Sequence, residues 1–387
     1  MLNSASGGSA ISTLDLVRAM RGRGVVAAAV CHDAGSPRER EAVREAFDGR
    51  VEFRKLVWWN RKIRVRAWKR PALALLQLLE TGAGVASARA VVQAAQQHRA
   101  DLIHTNTILT PEGARASRRL RIPHVWHVRE LVGKTRAFPL AGARGRVARL
   151  LRRAGVVAAN SEATAAALRD ATGVERITVV PNGVALEPLL ALGPAPPGGL
   201  FVVAMVGSLL SRVKRHGLFL EAAAMLCRHP EIEFRIYGGG DRERESYARG
   251  LVDEATRRGL GERLRWMGHV EGAAAILADV AVLVHPAEQE SFGRVLVEAM
   301  AAGRPVVAPR GGGAAEIVVD GETGFLVPCG DAAAMAAAVT RLLESPDLAR
   351  RMGEAGRARA AERYALDRVV DSMLGCYRTA LGEVGAR

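Results

Sequence analysis

The fold that this sequence predicts is α/β, built from two doubly wound halves, and three observations carry the prediction. A chain of 387 residues is long for one hydrophobic core and suits two domains. Short apolar runs of strand length alternate with amphipathic helical stretches from one end to the other, as in parallel sheets covered by helices. The stretch Leu192–Gly199 (LGPAPPGG) holds neither helix nor strand and divides the series in two.

In the first half the strand candidates are Val25–Cys31, Asp101–His104, Pro123–Val128, Gly155–Asn160 and Ile177–Val180. Between them lie helical segments such as Ile11–Arg21, where Ile11, Leu14, Val17 and Met20 recur at threefold spacing. After the linker the candidates are Phe201–Val206, Glu233–Tyr237, Leu264–Met267, Val280–His285, Pro305–Ala308 and Gly324–Val327, and the helices Ala332–Glu344 and Pro346–Arg363 close the series. The expected division is residues 1–190, a linker over 191–199, a second domain over 200–365, and a terminal helix over 366–387 that packs back toward the first domain. One element is missing from the pattern. A doubly wound domain opens on a buried strand ahead of its first glycine loop, and here Met1 and Leu2 alone precede Asn3–Ser9. The expectation is either a sheet that tolerates a stub or an apolar strand supplied from upstream.

Apolar residues make up 49% of the chain and charged residues 25%, an ordinary globular balance. No run of eighteen apolar residues is present, and the start lacks the basic and apolar regions of a signal peptide. The four cysteines stand far apart without a CxxC pair, so neither a zinc site nor a disulfide framework is indicated, and a reduced, cytoplasmic compartment is expected. No cluster of Asp, His or Glu has metal-ligand spacing, so no metal and no cofactor is expected. The net charge of +15 is lopsided: residues 1–190 carry 31 Lys and Arg against 15 Asp and Glu, whereas the remainder carries 24 against 25. The first half therefore faces something anionic. Eight of its cations lie between Arg54 and Arg70 with no acid among them, beside Trp58, Trp59 and Trp68. Cations mixed with tryptophan suit the headgroup layer of an anionic membrane. A solvated loop and a nucleic-acid surface are the alternatives; no nucleic acid is expected, and the membrane reading makes the protein peripheral on the inner face of the cell membrane.

The most informative string runs from His285 to Asp331, HPAEQESFGRVLVEAMAAGRPVVAPRGGGAAEIVVDGETGFLVPCGD. Glu290 lies on a loop leaving a strand, and Glu298 lies inside the helix that Phe292 or Gly293 begins. A helix N-terminus favours an anion through its free N–H groups and its dipole. A carboxylate two turns along can accept hydrogen bonds from vicinal hydroxyls, and a second one on the loop can do so for a sugar ring. By spacing alone, two glutamates eight apart also suit a solvated helix face.

This string resembles the donor-site motif, Glu-x7-Glu, of the family-4 retaining glycosyltransferases. The resemblance implies the GT-B fold, in which two Rossmann-like domains face across a cleft, and a nucleoside diphosphate sugar as donor. It implies that Glu298 holds the ribose, and that Glu290, Ser291, Phe292 and Gly293 meet the transferred sugar. At the head of the second half, Val206–Ala222 (VGSLLSRVKRHGLFLEA) resembles the family's diphosphate clamp. Lys214 matches the clamp lysine; Ser208 stands where an arginine is usual, and Arg212 and Arg215 are the alternatives for the second cation. Gly239, in the turn Tyr237–Glu245, and His269 and Val270, in Met267–Val270, match segments at the nucleotide end of the site. In the first half, His104–Ala114 and His124–Leu131 resemble acceptor-side loops. There His127 matches a histidine that approaches the donor sugar, Arg129 and Glu130 are candidates for acceptor hydroxyls or a phosphate, and Gly8 belongs to the first glycine loop. Asn160–Leu168 and Pro181–Val184 resemble the family's framework.

Together these readings imply a retaining hexosyltransferase with catalytic residues His127, Lys214 and Glu290, acting on a glycan or lipid-linked acceptor of the cell envelope. The alternatives are a nucleotide-sugar epimerase, a phosphorylase (for which no pyridoxal-binding lysine context is found) and a non-catalytic scaffold that keeps the nucleotide-sugar site.

Overall fold

The computed structural model describes residues 8–32, 36–54, 87–133, 144–193, 200–209, 212–239 and 245–382. The chain divides into two compact units, one formed by Met1–Gly183 with Leu366–Arg387 and the other by Val184–Ala365.

In the first unit the described elements are α1 (Gly8–Arg21), β1 (Ala29–His32), α2 (Pro37–Ala46), β2 (Val51–Arg54) and α3 over residues 87–97. They continue with β3 (Ile103–Thr105), α4 (Glu112–Leu120), β4 (His124–Val128), α5 (Arg144–Leu151), β5 (Val156–Ala159), α6 (Glu162–Thr172) and β6 (Thr178–Val179). Local chemistry sets the helix ends. Ser36 forms a reciprocal capping box with Glu39 ahead of Pro37, Ser161 accepts from the Thr164 N–H, and Gly173 closes α6 at φ 64°. β3–β4–β5–β6 form one parallel sheet, while β1 pairs with β2. Strand β4 shows why side-chain alternation matters. Trp126 and Val128 pack with α5 and α6 on one face, and Val125 packs on the other with Leu16 and Met20 of α1 and with the terminal helix. The predicted first strand falls in residues 1–7, outside the described residues. So does the basic segment 54–70, apart from Arg54, which is exposed and paired with Glu52.

In the second unit, α7 (Glu187–Leu190) leads into β7 (Phe201–Val206), a 3-10 turn at Arg212–Lys214, α8 (His216–Met225), β8 (Ile232–Tyr237), α9 (Glu245–Arg257) and β9 (Leu264–Gly268). Then come α10 (Ala273–Leu277), β10 (Val282–Val284), α11 (Arg294–Ala301), β11 (Val306–Pro309), α12 (Ala314–Ile317), β12 (Gly324–Val327), α13 (Ala332–Glu344) and α14 (Pro346–Tyr364). The six strands lie parallel in the order β12–β11–β10–β7–β8–β9. The order therefore reverses between β7 and β10, and the crevice beyond the carboxyl ends of those two strands is where a doubly wound sheet takes its ligand. Helices α8, α9 and α13 cover one face, and α7, α10, α11, α12 and α14 the other. The chain returns to the first unit at Leu366, where α15 (Leu366–Leu381) begins and packs on α1, β4 and β5. Gly183 lets the crossing pack closely, since a Cβ there would stand 3.2 Å from Leu366 Cα and 2.8 Å from its Cδ1.

Candidate functional site

The switch point of the second unit is built from loops that leave β7, β8, β9 and β10. The β7 and β8 loops touch through backbone alone. The Gly207 N–H donates to the Tyr237 carbonyl at 2.8 Å, and a Cβ on Gly238 would stand 2.0 Å from the Gly207 oxygen, so only glycine fits at 238. Gly239 comes against His269, with 3.3 Å between its would-be Cβ and the histidine Cβ. Val270, next along, is half-buried against the core. On the other side of Gly207 lies the stem of Lys214, whose Cγ would be 3.2 Å from a Cβ there.

Lys214 Nζ donates to Glu290 Oε2 at 2.5 Å. These residues are 76 apart in sequence, and the strand order brings their loops together. His285, buried at the end of β10, places Nε2 3.5 Å from the same oxygen. Burial pushes the His285 ring below its ordinary range, against the pull of Glu290. Burial also works against charge on Glu290, but Lys214 and His285 outweigh it and hold the carboxyl well below the usual carboxylate range. The loop carrying Glu290 is cradled by glycines. A Cβ on Gly312 would lie 2.4 Å from the Glu290 oxygen and one on Gly313 2.4 Å from the Phe292 oxygen, and the Gly313 N–H donates to the Glu290 carbonyl at 2.9 Å. The run of three glycines at 311–313 is the signal in the sequence for that close approach, and it went unassigned. Phe292 is buried edge-on against Tyr364. Gly293 then turns the chain at φ 102° into α11 without a side-chain cap.

The remaining candidates divide. Glu298 is held by Arg294, whose Nε donates to Oε1 at 2.6 Å. Arg215 is turned to Glu288 at 2.8 Å, and Arg212 lies 5.2 Å over the ring of Tyr247. Ser208 follows Gly207 on the β7 loop, and Ser291 sits half-buried between Glu290 and Phe292. Glu288 and Arg294 were not singled out from sequence, although both lie inside the string that carries Glu290 and Glu298.

The first unit gathers a different set at the carboxyl ends of β3, β4 and β5. His127 is fully buried, with Nε2 3.3 Å from the Val180 carbonyl and Nδ1 3.4 Å from Arg129 Nη2. Arg129 donates from Nε to Asn106 at 2.7 Å and from Nη1 to Asn182 at 2.6 Å. Asn106 in turn donates to Thr13 of α1 at 2.6 Å. The carboxylate of Glu130 turns away from that guanidinium. It accepts from the Thr107 hydroxyl, from the Ile108 N–H at 3.0 Å and from the Arg129 N–H at 3.2 Å, and burial raises its pKa against those bonds. His104 Nδ1 lies 2.8 Å from the hydroxyl of Tyr377 on α15. Burial, reinforced by Arg129, holds His104 and His127 well below the ordinary histidine range, and burial lowers His124 to about 3. Asn106, Asn182 and Tyr377 were not assigned from sequence: Asn182 reads there as part of a turn, and nothing in a helical period marks Tyr377. Gly8 is the first residue of α1.

Comparison with known proteins agrees with this architecture. The Anabaena HepE crystal structure, solved in complex with UDP and glucose, matches 97% of this chain and 97% of its own at 25% identity with a TM-score of 0.77. The fold is that of the GT-B glycosyltransferases. Each half also matches a glycosyltransferase family model, residues 6–188 that of Glycosyltransferase Family 4 and residues 194–359 that of Glycosyl transferases group 1. Among curated relatives, a phosphatidyl-myo-inositol mannosyltransferase of Mycobacterium leprae is 37% identical over 52% of this chain and 53% of its own length. An alpha-D-kanosaminyltransferase of Streptomyces kanamyceticus is 36% identical over 41% of each chain. The chain thus spans about half the length of the curated relatives it matches. Among the described residues no helix is long and apolar enough to cross a membrane, and no group of His, Cys, Asp and Glu is arranged to hold a metal ion.

Proposed function

We propose that this protein transfers a hexosyl group from a nucleoside diphosphate sugar to an acceptor hydroxyl with retention of anomeric configuration. The observation that carries the reading is the Lys214–Glu290 pair at the switch point of the second sheet, with Glu298 on the helix that follows. A cation beside a sugar-binding carboxylate, at the carboxyl ends of parallel strands, suits a ligand with a diphosphate at one end and hydroxyls at the other. Lys214 stabilises the departing diphosphate, Glu290 with Ser291, Phe292 and Gly293 holds the sugar, and Glu298 holds the ribose. Ser208, Arg212, Gly239, His269 and Val270 line the rest of the donor site. Gly8 also contacts the donor, His127 approaches the transferred sugar as a neutral hydrogen-bonding group, and Arg129 and Glu130 belong to the acceptor side. UDP in the Anabaena relative supports a nucleotide donor. Substituting Glu298→Gln should weaken binding of the cognate nucleoside diphosphate about tenfold or more, since a hydrogen bond to a charged group contributes about 1.5–3 kcal/mol. Titration calorimetry measures it, and an unchanged dissociation constant removes Glu298 from the ribose. Release of sugar from a panel of radiolabelled nucleotide sugars tests turnover, and a product with inverted anomeric carbon overturns retention.

The acceptor class we propose is a lipid-linked or cell-envelope glycan, reached from an anionic membrane surface through residues 54–70. Its support is the charge excess of the first half, the three tryptophans in that segment, and the phosphatidylinositol named in the mycobacterial relative. Vesicle flotation should rise with anionic lipid and fall with salt, because surface attraction decays within a Debye length of about 8–10 Å. Equal flotation on neutral and anionic vesicles would leave this segment a solvated loop.

A further inference from the structure

The β7 loop brings one engaged cation to the donor site. Lys214 reaches Glu290, Ser208 at the head of the loop is neutral, Arg215 is turned to Glu288 with half its side chain exposed, and Arg212 lies over Tyr247. A diphosphate carries more than one negative charge, so a site with one such cation is electrostatically short.

Arg294 is a further cation in the same string, and its place in α11 does little for the helix. It is the first residue of α11, where a positive side chain opposes the helix dipole. Its partner Glu298 follows at i+4, the weaker order for a helical ion pair, since the acidic residue is favoured on the N-terminal side. Both side chains are 14% exposed, so the pair also bears the cost of taking two charges out of water. No acidic residue stands in the first turn of α11 to offset the cation, and Gly293 offers no side-chain cap. Helix dipole, pair order and desolvation thus all weigh against Arg294 as a helix stabiliser, and an anion arriving at this helix end reverses the first of them. The residue before it borders the loop that carries the Lys214 pair, because Glu290 Cγ lies 3.7 Å from where a Cβ on Gly293 would stand.

We propose that Arg294 is the second cation of the donor site, binding the donor's diphosphate together with Lys214. Before the donor arrives each cation rests on a carboxylate, Lys214 on Glu290 and Arg294 on Glu298. The diphosphate takes both cations and releases both carboxylates to accept hydrogen bonds from sugar and ribose hydroxyls, so binding is an exchange of ion pairs. This rests on the donor-site reading above.

The test starts by titrating the full chain with UDP, GDP and ADP and taking forward the one bound most tightly, with its nucleoside measured by competition. For Arg294→Leu the expected result is a loss of about tenfold or more for the diphosphate, with the nucleoside's affinity close to the parent's. Arg294→Lys should keep most of the binding, and adding Ser208→Arg to Arg294→Leu should restore it. An equal loss for nucleoside and diphosphate means that Arg294 acts through Glu298 alone and overturns the proposal, as does no loss at all. Glu298→Gln separates the two levels, because it should weaken nucleoside and diphosphate alike. If it weakens neither while Arg294→Leu still weakens the diphosphate, the ribose assignment fails and the cation stands. A parent that binds none of the three diphosphates overturns both.

Discussion

The two units end their sheets in opposite kinds of polar chemistry. In the first, Arg129 is buried among neutral acceptors: two asparagine carbonyls and a histidine nitrogen. Its neighbouring carboxylate, Glu130, is spent on Thr107 and backbone N–H groups. In the second, cations meet carboxylates at Lys214–Glu290, Arg215–Glu288 and Arg294–Glu298, with between 14% and 50% of each side chain exposed. The difference is one of exchangeability. A directional network of buried neutral groups fixes side chains, and removing one member strands several others. An ion pair gives up its partner when a ligand offers an equivalent charge, so its geometry holds the cation ready.

The contrast can be broken most strongly at Arg129. Substituting Arg129→Leu leaves the Asn106 and Asn182 carbonyls without this donor in a buried setting, and should cost about 3–5 kcal/mol on the scale of broken buried charged networks. Urea unfolding measures it, and a loss below about 1 kcal/mol, the size of a surface pair, would mean that the network is no more rigid than the ion pairs of the second unit. Acid gives a second, smaller handle. The folded pKa values of His104, His124 and His127 all lie below that of an unfolded histidine. The unfolded chain therefore takes up protons first as pH falls. The stability these residues contribute is intact above about pH 6.5 and is lost below it, by up to about 1.4 kcal/mol per pH unit for each histidine. Urea midpoints of the first unit between pH 7.5 and 5 should fall accordingly, and a flat profile would show that these rings are solvated. A smaller change in stability than at Arg129→Leu is expected at Lys214→Gln, because that pair keeps 24% and 18% of its side chains exposed. Nucleotide binding should nevertheless drop as much as in Glu298→Gln; a variant that loses stability but keeps binding would reverse the contrast.

Strands such as Phe201–Val206 and Gly324–Val327 are plain in the sequence because both faces of a parallel sheet are buried, which leaves unbroken apolar runs. Strand β2, Val51–Arg54, is not, since its residues alternate between half-covered and charged and it earns its place only by pairing with β1. In the candidate site, Glu290, Phe292, Gly293 and Glu298 were legible together because one loop and one helix carry them. The partners of those residues were not.

The sequence by itself determined the succession of elements, the lopsided charge and the local string that sets two glutamates on one loop and the helix after it. All of these depend on residues within a few turns of each other, where periodicity and turn chemistry act. Only the tertiary structure decided that Lys214 meets Glu290, that the glycines at 311–313 cradle that loop, and that Tyr377 reaches His104 across 273 residues. Those contacts follow from the order of strands in the sheets and from the return of the last helix, and the free energy that selects them comes from burying whole faces of sheet and helix, which no local pattern contains.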